Sequence, residues 1–257
     1  MDYVVVCLVA LVGSGLTLFS GFGLGTLLLP VFALFFPVEV AIAATAVVHF
    51  LNNLFKLTLL GRKADYGLVA SFGLTSLVAA LVGAYVLTQL AAFEPIGSYA
   101  LNGKEFFVTP VKLTVGTLLI VFAVLEMSPA LERLKIDRKL IPLGGLVSGF
   151  FGGLSGHQGA LRSAFLIKAG LSKEAFIATG VVIACIVDVA RLTVYAESFL
   201  AQRDELNYAL VGAATLAAFI GAFVGTRLMK KVTLRSVQWI VAVMLFLFGI
   251  ALASGLV

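Results

Sequence analysis

Four polar residues recur along one apolar stretch of the chain, at a spacing that brings them together. His49, Asn52, Asn53 and Lys56 stand at positions i, i+3, i+4 and i+7, which share one face of a helix. An ionised side chain costs about 2.5–3.5 kcal/mol at the centre of a bilayer, so such residues mark functional sites. We predict that His49, Asn52 and Asn53 bind a polar substrate; the alternative is a polar contact between helices. Lys56 either lines the same pathway or extends to the lipid headgroups.

A second polar group lies at the end of a glycine-rich run at residues 152–159 and just after it. His157, Gln158 and Gly159 belong to the run, and Arg162 lies in the first helical turn after it. A helix that starts within the membrane directs free N–H groups and a partial positive charge at whatever precedes it. Glycine lets a ligand approach those amides, and a guanidinium fork suits an oxyanion. The pattern predicts an anion site, unless Arg162 faces the cytoplasm.

A glycine-rich run also interrupts the first apolar stretch, at residues 21–25. Its Gly23 and Gly25 predict a second set of backbone amides for the same anion. Leu28 stands where Arg162 stands in the later run, so the amides would come from both halves and the charge from the second half.

Asp188 and Arg191 form a charged pair at i and i+3 in another apolar stretch. They could neutralise each other as a structural pair, but the desolvation of both favours a polar cavity. We predict that Arg191 binds substrate. Asp188, together with His49 and His157, could relay protons, because histidine titrates near neutral pH.

Composition restricts the class of protein. Of the 257 residues, 61% are hydrophobic and 12% are charged, whereas about half of an ordinary soluble domain is apolar, so the lipid bilayer must be a partner. The net charge of +5 does not indicate nucleic acid, because the basic residues lie in short loops. Gly-x-Ser-x-Gly and His-Glu-x-x-His motifs are absent, and two histidines without an acidic cluster make a poor metal site. We predict no enzyme activity, no metal and no cofactor.

Apolar stretches of about 20 residues predict the helices that position these groups. Six qualify, at 38–60, 67–91, 108–126, 175–198, 207–228 and 236–256. Two longer stretches, 3–36 and 141–169, contain the glycine runs. An offset of 134 aligns Gly25 with Gly159 and Thr45 with Thr179. The matches keep this order along the chain, with a later slip of four residues, and predict a duplication.

The basic residues indicate how the broken stretches run. If each crosses once, seven basic loop residues face one side and eight the other. If each is a hairpin that enters and leaves on one side, twelve face the cytoplasm and three face out, which is the asymmetry that membrane proteins show. The twelve are Arg62, Lys63, Arg133, Lys135, Arg138, Lys139, Lys168, Lys173, Arg227, Lys230, Lys231 and Arg235, and the three are Lys104, Lys112 and Arg203.

The hairpin arrangement predicts an inverted repeat, because three crossings per half is an odd number. The first membrane repeat would span 1–126, an amphipathic cytoplasmic linker 127–140 and the second membrane repeat 141–257. Both termini would be extracytoplasmic.

Two loose motifs carry a resemblance to a known family. Gly25 and Pro30 form a Gly-x-x-x-x-Pro motif after the first run, and residues 221–228 read Gly-Ala-Phe-Val-Gly-Thr-Arg-Leu before a basic stretch and a last apolar helix. In these features the chain resembles the sulfite exporter TauE/SafE family, also called four-toluene-sulfonate uptake permease-like transporters, over nearly its whole length. The resemblance implies about eight membrane segments in a four-plus-four duplication, with sulfite, sulfonates or other organosulfur anions as substrates. The second run departs from the family pattern, which makes His157 and Gln158 candidates for selectivity.

The sequence thus predicts an all-α integral membrane protein of two inverted repeats, each a glycine-broken helical hairpin followed by three transmembrane helices. The predicted function is secondary transport of a small anion, sulfite or an organosulfonate, across the inner membrane. Export needs no coupling, because an inside-negative potential expels anions. A proton-coupled importer of a similar anion and a membrane subunit without flux are the alternatives. The sequence gives no oligomeric state.

Overall fold

A computed structural model describes residues 2–20, 23–128, 137–201, 207–228 and 234–257. The described part of the chain is mostly helical. Its helices are α1 (Asp2–Ser20), α2 (Leu24–Ala33), α3 (Val38–Leu60), α4 (Tyr66–Ala91, with a π-helical turn at Val69–Gly73), α5 (Pro110–Met127), α6 (Ile141–Ser155), α7 (Gly159–Leu166), α8 (Lys173–Ala201), α9 (Tyr208–Leu228) and α10 (Leu234–Ala253). Among these described residues, the helical segments at Val38–Lys63, Tyr66–Ala91, Lys173–Ala196 and Tyr208–Arg227 are long and apolar enough to cross a membrane. The stretches predicted at 108–126 and 236–256 contain shorter apolar helices, Pro110–Leu125 and Trp239–Ala253.

The connection between α4 and α5 departs from a purely helical fold. Strands β1 (Gly97–Leu101) and β2 (Lys104–Val108) form an exposed antiparallel hairpin in which Gly97 pairs with Val108. Its turn places Asn102 and Gly103 at positive φ, which glycine and asparagine tolerate best. The amphipathic helix predicted for the linker falls mainly on 129–136, outside the described residues.

Both glycine-rich runs interrupt helices, but the second break is narrower than the sequence predicts. Helix α6 continues through Gly152 and Gly153 to Ser155, and only Gly156 to Gln158 are non-helical. Gly156 ends α6 in the left-handed conformation, with φ +79°. Gly153 stays helical because a side chain there would strike the carbonyl of Ala80 on α4, so close helix packing outweighs the intrinsic cost of glycine.

Small residues bring two pairs of parallel helices into close contact. On α6, Gly149 contacts Ser76 and Gly153 contacts Ala80, so positions on α6 and α4 rise together along the chain. On α9, Gly221 contacts Leu11, and the next turn of α9 meets the next turn of α1 in the same order. Short side chains let such backbones approach and gain dispersion energy.

Two other pairs are antiparallel and join the first half of the chain to the second. On α5 and α10, Gly116 lies against Ala253 while Ile120 lies against Gly249. On α3 and α8, the contacts run from His49 with Asp188 to the cluster formed by Leu57, Leu60, Ile177 and Val181. Helix α8 also packs beside α4. Contacts rise from Gly73 with Ile183 and Ile186 to Ala80 with Val187 and Ala190, so α4 and α8 are parallel.

Candidate functional site

A buried polar cluster joins α3 to α8 at the centre of the fold. The Nδ1 atom of His49 lies 2.7 Å from Asp188 Oδ2, and Asn53 Nδ2 donates to the same oxygen at 3.1 Å. Arg191 donates from Nε to Asp188 Oδ1 at 3.0 Å, and its Nη2 lies 2.7 Å from that oxygen. All four residues are at most 4% exposed. The carboxylate therefore accepts from both halves of the chain and ties them together.

Both breaks place a glycine against this cluster. A Cβ at Gly23, which precedes α2, would lie 2.8 Å from Nε2 of His49. A Cβ at Gly156, which follows α6, would lie 2.6 Å from Nη1 of Arg191. A real Cβ contact is never that short, so the missing side chains let the two chain breaks approach the imidazole and the guanidinium.

A cavity of about 450 Å³, including its mouth, extends from the cluster between α3, α7 and α8. Its lining residues are Thr17, Gly23, Leu24, His49, Asn53, Lys56, Arg162, Ser163, Phe176, Ile177, Gly180 and Val181. The lining runs from His49 toward the C-terminal end of α3, and from Gly180 toward the N-terminal end of α8. The cluster therefore forms one end of the cavity.

Two cationic side chains line the cavity, one from each half of the chain. Arg162 on α7 is 7% exposed and Lys56 on α3 is 4% exposed. Within the described ranges, neither has a carboxylate within ion-pair distance. A buried charge without a partner is strongly unfavourable, so the arrangement favours an anion between Arg162 and Lys56.

Neutral groups hold the two cations in place. Arg162 donates from Nη1 to Gln158 Oε1 at 3.1 Å, one helical turn earlier. In the orientation that satisfies both of its atoms, the Asn52 amide accepts from Lys56 Nζ at 3.1 Å and donates to the Ala218 carbonyl at 3.2 Å. Amides position these cations without neutralising them, so both charges stay available to a ligand.

The structure divides the residues that the sequence singles out. It brings His49, Asn53, Gly23 and Arg162 together in the cavity lining, and Lys56 lies there too. Asp188 and Arg191 lie beside the lining, bound to each other. Asn52 faces α1 and α9, where Ser14 and Ala218 meet it.

Other predicted residues lie behind the lining. His157 stacks on Phe122 of α5 at 6.1 Å between ring centroids, and its Nδ1 lies 3.2 Å from Ser155 Oγ. Gln158 is not part of the lining, but its side chain accepts a hydrogen bond from Arg162, which is. Gly25 packs against His49 and Thr45, and Gly159 begins α7.

Several lining residues carry no sequence signal that would single them out. Thr17, Phe176 and Gly180 are ordinary members of apolar helices, and only the packing of α1 and α8 brings them to the cavity. Gly180 leaves room for Arg162, because a Cβ there would lie 3.4 Å from the guanidinium Nε. In the part of the chain that the structure describes, no group of three His, Cys, Asp or Glu residues could hold a metal ion.

Comparison with known proteins assigns the chain to a family. No curated protein matches the chain. A family model described as "Sulfite exporter TauE/SafE" matches residues 6–252, a range that includes both glycine breaks and every cavity-lining residue. The resemblance drawn from the sequence is confirmed. With its long apolar helices, the chain belongs to the sulfite exporter TauE/SafE family, a family of multi-pass membrane transporters rather than enzymes.

Proposed function

We propose that this protein transports a small sulfur oxyanion, sulfite or an organosulfonate, through the cavity between α3, α7 and α8. The observation that carries the proposal is the pair of buried cations, Arg162 and Lys56, without a carboxylate partner among the described residues. Family membership supplies the class of substrate.

Electrostatics explains why such a cavity would select an anion. With His49 neutral, the buried groups Lys56, Arg162, Arg191 and Asp188 add up to two net positive charges. An oxyanion between Arg162 and Lys56 would offset their desolvation and accept charge-assisted hydrogen bonds from both. The apolar wall at Phe176 would accommodate the organic part of a sulfonate.

The architecture proposed for this transport is an inverted repeat of two re-entrant hairpins. Its first support comes from the most extensive helix contacts. These map onto one another when each helix of the first half (α1–α5) is exchanged for its counterpart in the second (α6–α10). The pair α1–α9 becomes α6–α4, and α3–α9 becomes α8–α4, while α3–α8 and α5–α10 map onto themselves. The two self-mapped pairs are antiparallel, as counterparts related by an axis in the membrane plane must be.

Helix direction supports the hairpins. Helices α6 and α8 are both parallel to α4, so the segment from α6 through α7 to the start of α8 would begin and end on the same side of the membrane. The tip at Gly23 reaches His49, which lies 11 residues into α3, or about 17 Å at 1.5 Å per residue. That depth is close to the middle of a hydrocarbon core of about 30 Å.

Sidedness follows from the basic residues beyond the mouth of the cavity. The mouth lies toward the end of α3 and the start of α8, where Arg62, Lys63 and Lys173 are found. By the positive-inside rule this side would be cytoplasmic, so the cavity would load from the cytoplasm while the His49–Asp188–Arg191 cluster closes the outward path. Both termini would be extracytoplasmic, and the protein would lie in the inner membrane.

The membrane potential would favour export. Moving one negative charge outward is worth about 2.3 kcal/mol per 100 mV of inside-negative potential. The function is tested by reconstituting the purified protein into liposomes loaded with sulfite and imposing a potassium diffusion potential with valinomycin. We expect protein-dependent efflux that is faster when the interior is negative. Efflux equal to that of protein-free liposomes would refute transport and support a subunit without flux.

Topology is tested separately with reporters fused after Val257. A C-terminal alkaline phosphatase should be active and a C-terminal green fluorescent protein dark, because an extracytoplasmic end suits the first reporter only. Fusions within the β1–β2 turn should give the same result, since that turn would also face out. A fluorescent, phosphatase-inactive C-terminus would refute the inverted hairpins but not the anion site.

A further inference from the structure

The two nitrogens of His49 have different surroundings. Nδ1 lies 2.7 Å from Asp188 Oδ2. Among the described residues, the other partners of this carboxylate are Arg191 and Asn53, and both are donors, as an ionised group requires. A carboxylate oxygen only accepts, so the hydrogen between the two groups belongs to Nδ1, and in a neutral imidazole Nε2 is then an acceptor.

Nε2 is the nitrogen on the side of the hairpin tip and the cavity. It lies beside Gly23, which also lines the cavity. Asn53 Nδ2 lies 3.1 Å from Nδ1 and 3.3 Å from Nε2 of His49. Since Nδ1 already carries a hydrogen, the amide hydrogen can be accepted only at Nε2. These contacts fit a neutral His49. If Nε2 were protonated, its hydrogen would have no acceptor among these groups.

We propose that His49 takes up one proton at Nε2 when an anion binds between Lys56 and Arg162, so that anion and proton binding are linked. The inference rests on the proposed function and adds the coupling ion and its site. A protonated Nε2 needs an acceptor, and an anion oxygen in the cavity supplies one. The ion pair with Asp188 through Nδ1 holds the resulting imidazolium.

Surrounding charges strengthen the linkage. Among the described residues, the charged or titratable groups that face His49 and its partners come from α3, α7, α8 and the turn before α7. They are Lys56, Arg162, Cys185, Asp188, Arg191, Tyr195 and His157. Helix α1, the residue before α2 and the start of α2 present Thr17, Gly23 and Leu24, which do not titrate. Protonation of His49 would raise the net charge of the buried groups from two to three, and an anion offsets that increase.

Linkage makes the effect reciprocal. If the anion favours the proton, the proton favours the anion by the same factor. One linked proton weakens anion affinity by up to tenfold for each pH unit above the titration of His49. A dianion would then cross with one proton and a single net negative charge, which the potential still drives outward.

The test uses anions of fixed charge, because sulfite itself takes up a proton near neutral pH. The full chain in detergent is titrated with sulfate, with methanesulfonate and with sulfite from about pH 5.5 to about pH 8.5. Proton uptake is followed with an indicator dye in weak buffer. We expect the Kd of the fixed-charge anion to rise about tenfold or more across this range, with uptake of up to one proton per anion.

His49→Gln tests the assignment, and His157→Gln is the matched change at the chain's other histidine. We expect pH-independent binding and no proton uptake in H49Q, and wild-type behaviour of both readouts in H157Q. A pH-independent Kd without proton uptake in the wild-type protein would overturn the inference and leave the proposed function standing. So would sulfite binding while neither fixed-charge anion binds at acid pH, or a pH dependence that is lost in H157Q and kept in H49Q. No binding of any of the three anions at any pH would overturn the proposed function itself.

Discussion

Arg162→Ala removes the cation that the second half of the chain contributes to the cavity. The side chain is 7% exposed and donates to Gln158, but it has no carboxylate partner among the described residues. A hydrogen bond to a charged group contributes about 1.5–3 kcal/mol. Each 1.4 kcal/mol is a tenfold change in affinity, so we expect the Kd for sulfite to rise roughly 10- to 150-fold.

Folding should survive the Arg162→Ala substitution. Removing one member of a buried ion pair strands the other, but here no opposite charge is left behind. The loss of a desolvated cation offsets the loss of packing and of the bond to Gln158. We therefore expect a thermal unfolding midpoint close to that of the wild-type protein, which distinguishes a binding defect from misfolding.

The assay is isothermal titration with sulfite in detergent, with unfolding followed on the same samples. Arg162→Lys, which keeps the charge and loses the fork of donors, should fall between the wild type and the alanine variant. Arg227→Ala is the matched control, because Arg227 is exposed and its guanidinium lies 4.3 Å from the Phe223 ring centroid, outside the cavity lining. A Kd in Arg162→Ala within about threefold of the wild-type value would refute the assignment of the anion site.

Three further substitutions, one of them paired with a control substitution, test the cavity and the packing around it. Lys56→Met removes the charge and leaves a side chain only one heavy atom shorter. Sulfite affinity should fall about tenfold or more, because a charge at about 6 Å contributes a few kcal/mol at an effective dielectric constant of about 20; an unchanged Kd would mean that Lys56 only fills space. Gly153→Leu would drive a side chain into the Ala80 carbonyl and should lower the free energy of unfolding by about 2 kcal/mol or more in a thermal unfolding assay. Gly212→Ala is the control: a Cβ there has nothing within 4 Å, so the change should be neutral or stabilising by about 0.5–1 kcal/mol. Asp188→Asn leaves Arg191 buried without its carboxylate and should cost about 3–5 kcal/mol; an unfolding midpoint equal to the wild type's would show that the pair is not needed for stability.

Residue spacing predicted the parts of the site that lie on one helix. The i and i+4 relation of His49 and Asn53 places both beside Asp188, and the i and i+3 relation of Asp188 and Arg191 allows their ion pair. Helical spacing does not distinguish Asn52 from its neighbour Asn53. One residue corresponds to about 100° of rotation, so Asn52 faces α9 instead of the cavity.

Contacts between distant parts of the chain could not be predicted from the sequence. The bond between His49 and Asp188 spans 139 residues and depends on the antiparallel packing of α3 and α8. The extent of the second break was also overestimated, because glycine in a sequence signals both a helix breaker and a close helix contact. On α6, Gly149 and Gly153 stay helical and pack against α4. Only Gly156, which has positive φ, ends the helix.

In the proposed duplication, the polar groups of the site have apolar residues at the equivalent positions of the other half. The offset of 134 that aligns Gly25 with Gly159 puts Ile183 opposite His49, Ala190 opposite Lys56 and Leu28 opposite Arg162. A repeated backbone therefore carries one set of charges. An anion held by Lys56 and Arg162 would tie α3 of the first half to α7 of the second, much as Asp188 ties α8 to α3. A motion that separates α3 from α7 and α8 would break both links, so we expect the occupancy of the cavity to influence which side is open.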